Sequence, residues 1–225
     1  MAFDTKTFKT RTLTAIVFAF AMLAGLLWNK WSFIILFTII HFGCWYEFIK
    51  LLKKTDPLNY KVKSLLGLIY ITLPLILIII MRIEPATEKD DNFLKILPCG
   101  IIFSIWINDT MAYITGSFIG KTPLSKISPK KTWEGTIGGI ILCVLVIGFI
   151  GNANGSYSLQ DWIVISLCCS VFGTFGDLLE SKLKRMASVK DSGNLMPGHG
   201  GFLDRFDSLL IAIPFVFVYY FLFMR

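Results

Sequence analysis

Residues 162–224, WIVISLCCSVFGTFGDLLESKLKRMASVKDSGNLMPGHGGFLDRFDSLLIAIPFVFVYYFLFM, hold two apolar runs around one polar loop. The runs, roughly 162–180 and 206–224, are each close to the ~20 residues that cross a hydrocarbon core of about 30 Å at about 1.5 Å per residue. The loop between them, 181–207, packs Lys184, Arg185, Lys190 and Arg205 beside Asp191, Asp204 and Asp207, and sets Gly200-Gly201 after His199. A membrane connector needs only turn residues and a few lysines. This one carries cations suited to phosphate oxygens, carboxylates suited to a hard metal ion, and glycines that let backbone N–H groups approach an anion. It reads as an active site at a membrane surface.

Composition agrees with a membrane class. Of the 225 residues, 55% are hydrophobic and only 16% charged, beyond what a soluble domain needs to fill its core. Seven apolar runs can be marked, at roughly 12–28, 31–48, 64–83, 96–118, 134–151, 162–180 and 206–224. The first two look short and are joined by Asn29-Lys30, so they read either as two thin spans or as one hairpin. No small-residue cleavage site follows the first run, which argues against a removable signal peptide. The expectation is an all-α polytopic membrane protein of about seven transmembrane helices. Residues 1–95 would form N-terminal membrane helices and 96–225 a catalytic region with loops 121–133 and 181–207.

The basic residues set the expected orientation. With the N-terminus in the cytoplasm, only Lys30, Arg82, Lys89, Lys95 and Arg225 of the 22 lysines and arginines fall outside, and the 84–91 loop there is acidic. That is a strong positive-inside bias. The net charge of +7 then needs no nucleic acid; an anionic inner leaflet accounts for it. This orientation brings Asp109, Glu134, Asp177, Asp204 and Asp207 to one depth near the cytoplasmic face.

Asp177, Glu180, Ser181 and Lys184 share one helical face at i, i+3, i+4 and i+7. A carboxylate inside the bilayer costs on the order of 2.5–3.5 kcal/mol on insertion scales and calls for a partner. Internal neutralisation by Lys184 is the plain alternative to a functional role. Asp109 begins a small-residue stripe with Ala112, Gly116 and Gly120; packing explains the glycines, and it does not explain Asp109. In the 121–135 segment, Ser128-Pro129-Lys130-Lys131 sets two cations in a stiffened stretch before a helix start at Thr132-Trp133-Glu134, read either as lipid attraction or as phosphate contact. His199 is open between acid–base work, a phosphate hydrogen bond and loop shaping, whereas His41, alone on an apolar helix, reads as structural. The five cysteines lie inside apolar segments without a CxxC pair and read as small buried hydrophobes.

The run Ser181-x-Leu183-Lys184-Arg185-x4-Lys190-Asp191-x-Gly193, continuing through Pro197-x-His199-Gly200-Gly201-Phe202-x-Asp204-Arg205-Phe206-Asp207, resembles the signature of the CDP-diacylglycerol synthases (phosphatidate cytidylyltransferases). Met196 replaces the usual Leu, Ile or Phe, a conservative apolar change. Asn108-Asp109, Ala112-Tyr113, Gly116, Gly120-Lys121, Ser128 to Gly135 and Gly176-Asp177 look like that family as well. The resemblance covers about residues 100–210; the N-terminal runs are generic and look short for the family.

The resemblance implies transfer of CMP from CTP to phosphatidate, giving CDP-diacylglycerol and pyrophosphate in phospholipid biosynthesis. It also implies a multi-pass protein of the cell's inner membrane with its active site facing the cytoplasm. Asp177 and Asp204 would be magnesium ligands, Asp207 a third, with a second cation such as potassium nearby. Asp109, Lys130, Lys131, Glu134, Ser181, Lys184, Arg185, Lys190, Asp191, His199, Arg205 and Asp207 would make up the catalytic set. Gly200 and Gly201 would lie in the cofactor-binding part. Partners would be CTP, phosphatidate and membrane lipids, with no nucleic acid and with a homodimer left open. A lipid-alcohol kinase and a cation-coupled transporter are the rival readings. The almost wholly apolar outer halves of the spans argue against transport.

Overall fold

The computed structural model of the chain describes residues 5–83, 91–194 and 200–224, and the side chains of 12–83, 93–194 and 200–224. Helices dominate: α1 (Thr5–Leu27), α2 (Lys30–Thr55), α3 (Tyr60–Ser64), α4 (Leu73–Ile83), α5 (Asp91–Ile119), α6 (Trp133–Asn154), α7 (Leu159–Met186) and α8 (Leu203–Tyr219). Among the described residues there is no strand, only an isolated bridge between Pro123 and Thr132. Six segments are long and apolar enough to cross a membrane: Lys30–Thr55, Tyr60–Ile83, Phe93–Ile119, Trp133–Asn154, Leu159–Met186 and Leu203–Met224. A shorter apolar helix, Thr12–Leu27, precedes them. The chain is a multi-pass, all-α membrane protein.

Exposure is inverted as lipid requires. On α6, Ile137, Ile141, Leu145 and Phe149 recur every fourth residue and all face outward, Phe149 with 78% of its surface open. A stripe of that kind on a water-soluble protein would be an aggregation liability. On a helix crossing a bilayer it is the surface that meets acyl chains.

The chain divides into two compact units that are discontinuous in sequence, Met1–Thr72 with Leu183–Phe206, and Leu73–Lys182 with Asp207–Arg225. This differs from a boundary at 95/96, because residues 183–206 group with the N-terminal helices. In the first unit α1 and α2 form a helical hairpin. Asn29 caps α2, its side-chain oxygen accepting from the N–H groups of Trp31 and Ser32 at 2.8 and 2.9 Å, while Ser32 Oγ accepts from Asn29 N. Gly25 lets the helices close, since a Cβ there would come within 2.5 Å of Leu36. The second apolar run is longer than 31–48: the helix continues through Lys50, Lys53 and Lys54 to Thr55. Cations in a last turn complement the helix dipole, so the charges close the helix without shortening it. His41 Nε2 and Trp45 Nε1 both meet Thr72 Oγ1, at 3.0 and 2.9 Å, a structural use of that histidine.

In the second unit α5 and α6 pack through small residues. Gly135 lies against Ala112 and Gly116, Gly138 against Thr115, and Gly139 against Ala112. Thr115 Oγ1 also donates to Gly135 O at 3.0 Å. Gly116 and Gly120 of the stripe face Thr132, so both are packing positions. None of the five cysteines is in a disulfide; Cys143 donates to Ser104 O inside the packed helices.

Candidate active site

Two polar clusters stand out, one in each unit. In the Leu73–Lys182 and Asp207–Arg225 unit, carboxylate oxygens of Asp177, Glu180 and Asp207 lie within 4.8 Å of one another. Asp177 and Glu180 are three residues apart on α7 and share a face. Asp207 reaches them because the backbones touch at Gly176: a Cβ there would collide with Asp207 O and Ser208 Cα, whereas at Gly173 it would meet Ser208 only in ordinary contact, at 3.4 Å. Glu180 and Asp207 are buried and Asp177 is half-buried.

A cation already stands at this cluster. Lys131 forms an ion pair with Asp177, and Asp109 is exposed on α5. Ser181 Oγ lies 3.5 Å from Asp177 Oδ1, at the outer limit of a hydrogen bond. Lys131 is held in place by its loop. Glu134 accepts from the N–H groups of Lys121 and Thr122 at 3.1 and 3.2 Å, tying the end of the helix before the loop to the start of the helix after it. Leu124 N donates to Lys131 O, Trp133 N to Thr122 O, and Thr132 caps α6 through Gly135 N. Glu134 therefore works as a loop tie. Lys130, next in sequence, is exposed.

The other cluster, in the unit that includes Leu183–Phe206, is built on Asp204. Lys184 Nζ pairs with its Oδ1 at 2.6 Å, and its Oδ2 accepts from Ser192 N, Ser192 Oγ and Gly201 N, each at 2.8 Å. An ammonium and two backbone amides donate to this carboxylate, and the Ser192 hydroxyl lies within reach of it. Gly200 has φ +83°, and a Cβ there would lie 2.6 Å from Asp204 Oδ2, so both conformation and space demand glycine. Gly201 is closed against Glu47 of α2 in the same manner. The anions that Gly200 and Gly201 approach here are the protein's own carboxylates. Lys190 and Asp191 are exposed and, with Lys50, Lys54 and Gly193, line a cavity of about 290 Å³. Arg185 and Arg205 are exposed. His199 lies outside the described residues.

Asp177 and Asp207 thus come together within one unit, with Glu180 as their third member, and Asp204, Lys184, Gly200 and Gly201 form a network within the other. Sequence reasoning passed over four contributors. Glu180 had been seen only as part of a helical face. Glu47 is an acid alone in the apolar run Cys44-Trp45-Tyr46-Glu47-Phe48, and that isolation is itself the signal that could have found it. Lys50 and Lys54 are one turn apart on α2, a spacing that puts two cations on one face.

The profile of the Cytidylyltransferase family matches residues 55–223, which include both clusters apart from the α2 residues. The chain belongs to the cytidylyltransferase family. A cytidylyltransferase relative, the phosphatidate cytidylyltransferase of Rickettsia bellii, is 35% identical over 218 residues, 92% of this chain and 88% of that protein. The Haemophilus influenzae phosphatidate cytidylyltransferase is 41% identical over 147 residues, 63% of this chain and 51% of the relative. That of Bacillus subtilis is 50% identical over 115 residues, 50% of this chain and 43% of the relative. Against several of these curated relatives the chain spans about half of their length or less.

Proposed function

We propose that this chain is a phosphatidate cytidylyltransferase, moving CMP from CTP to phosphatidate at the cytoplasmic face of a membrane. The observation that carries this reading is the gathering of Asp177, Glu180 and Asp207 beside Lys131 in a multi-pass helical protein of the cytidylyltransferase family. Three carboxylates converge within 4.8 Å, and all the donors are hard oxygens. That donor set fits magnesium. Asp177, Glu180 and Asp207 would hold it, and magnesium bound there would supply charge neutralisation for the triphosphate.

The reaction needs little else by way of covalent help. A phosphate monoester oxygen of phosphatidate is already an anionic nucleophile near neutral pH, so no strong general base is required. It forms a bond to the α-phosphorus of CTP as the bond from that phosphorus to the bridging oxygen of the β-phosphate breaks. Pyrophosphate leaves with the electron pair. Alignment and neutralisation of charge supply the acceleration. Lys131, fixed by the Glu134-tied loop, would place a positive charge on the phosphates. The recess lined by Lys50, Lys54 and Lys190 is a further cationic surface suited to phosphate oxygens.

Purified protein given phosphatidate, CTP and magnesium is expected to release pyrophosphate, with none released when phosphatidate is omitted. Release without the lipid would make the protein a nucleotide hydrolase and overturn the reading. The orientation has its own test. Single cysteines at Lys126→Cys and Ser156→Cys should react with an impermeant thiol reagent from opposite sides of the membrane. Labelling of both from one side would contradict a cytoplasmic site.

A further inference from the structure

Glu47 is 2% exposed, lies on a membrane-length helix and precedes the residues matched by the family profile. A carboxylate in such a segment costs on the order of 2.5–3.5 kcal/mol unless partners hold it. Its partners come from far along the chain. Phe202 N donates to Oε1 at 3.0 Å, Leu203 N to Oε2 at 2.9 Å, and Ser192 Oγ to Oε2 at 2.7 Å. The two amides open α8, where a helix leaves its first N–H groups without internal acceptors and its dipole is positive. Glu47 thus caps α8 from α2, a sequence separation of 155 to 156 residues.

The surroundings are shaped to admit this one carboxylate. A Cβ at Gly193 or at Gly201 would collide with Glu47. The Ser192 hydroxyl lies 2.7 Å from Glu47 Oε2 and 2.8 Å from Asp204 Oδ2, and its single proton serves one of the two acids at a time. One side chain therefore fixes both the 192–193 and the 201–203 parts of the polar loop. A purely apolar packing contact would need neither the charge nor the two glycines.

We infer that Glu47 is a positioning residue for the transfer reaction: it touches no substrate, and by fixing Ser192 and the start of α8 it sets Asp204 and, through it, Lys184. This rests on the function proposed above. Glu47→Gln keeps the shape but leaves one acceptor oxygen where two are used, and it turns an NH2 group towards N–H donors.

The test is hydrogen exchange on full-length protein in lipid nanodiscs, with kinetics on the same samples. In Glu47→Gln, peptides covering 189–194 and 201–204 should exchange about ten-fold faster, with the 33–44 part of α2 unchanged. Turnover should fall by about 30-fold with little change in KM for CTP, and Glu47→Asp, which keeps the charge, should recover part of it. Unchanged exchange in the loop would overturn the inference. So would loss of protection along all of α2, or Glu47→Asp behaving no better than Glu47→Gln. If the wild-type protein transfers nothing from CTP, the proposed function falls, and the exchange comparison still decides whether Glu47 holds the loop.

Discussion

Asp177→Asn is expected to abolish turnover while leaving the helices folded. Asparagine keeps the outline of the side chain and loses the charge that pairs with Lys131 and on which the proposed divalent ion would depend. Glu180→Gln and Asp207→Asn should behave alike, since each removes one of three carboxylates lying within 4.8 Å. A loss of at least about a thousand-fold, roughly 4 kcal/mol of barrier, is expected for each. Thermal unfolding in detergent separates this from misfolding: Asp177→Asn gives up its ion pair with Lys131, so the melting temperature should fall modestly while the unfolding transition remains cooperative. Activity above about a tenth of wild type in all three, a barrier change under ~1.4 kcal/mol, would remove the metal assignment.

The second large effect is expected at Lys131. Lys131→Met should lower turnover by about a hundred-fold, roughly 2.7 kcal/mol, and added magnesium should not restore it. The ammonium is held at Asp177 by a loop closed through Glu134, so its position is fixed before any substrate arrives. Preorganised charge of this kind is what phosphoryl and nucleotidyl chemistry uses. Lys130→Met is the control. Lys130 is exposed beside it, and its loss should cost less than about ten-fold. Equal losses at the two lysines would show that the pair acts as a general cationic patch, contrary to a specific place for Lys131.

Much of this was legible in the chain because lipid punishes stray charge. The apolar runs stood out, and the charge density of 181–207 marked the region that holds Asp204, Lys184 and Asp207. Pairing was less legible. Helical spacing places Asp177 with Glu180, but no spacing rule says that Gly176 lets α8 close in and bring Asp207 beside them. Asp204 lies three residues from Asp207 in sequence, yet its oxygens are given to Lys184, Ser192 and Gly201. The N-terminal helices looked generic because their one informative acid, Glu47, has partners some 145 to 156 residues away. Local patterns carry no information about partners at that distance. The length of α2 was underread for a simpler reason: its terminal lysines resemble a boundary in hydropathy, while a helix welcomes them at its last turn.

The measurement that tests the account most directly is the fate of two labels. Purified protein is given phosphatidate and magnesium with CTP labelled at either the α- or the γ-phosphate. If phosphatidate attacks the α-phosphorus, α-label enters the chloroform-soluble lipid and γ-label leaves as pyrophosphate. Lipid labelled from the γ-position and not from the α-position would contradict the account and make the protein a lipid kinase.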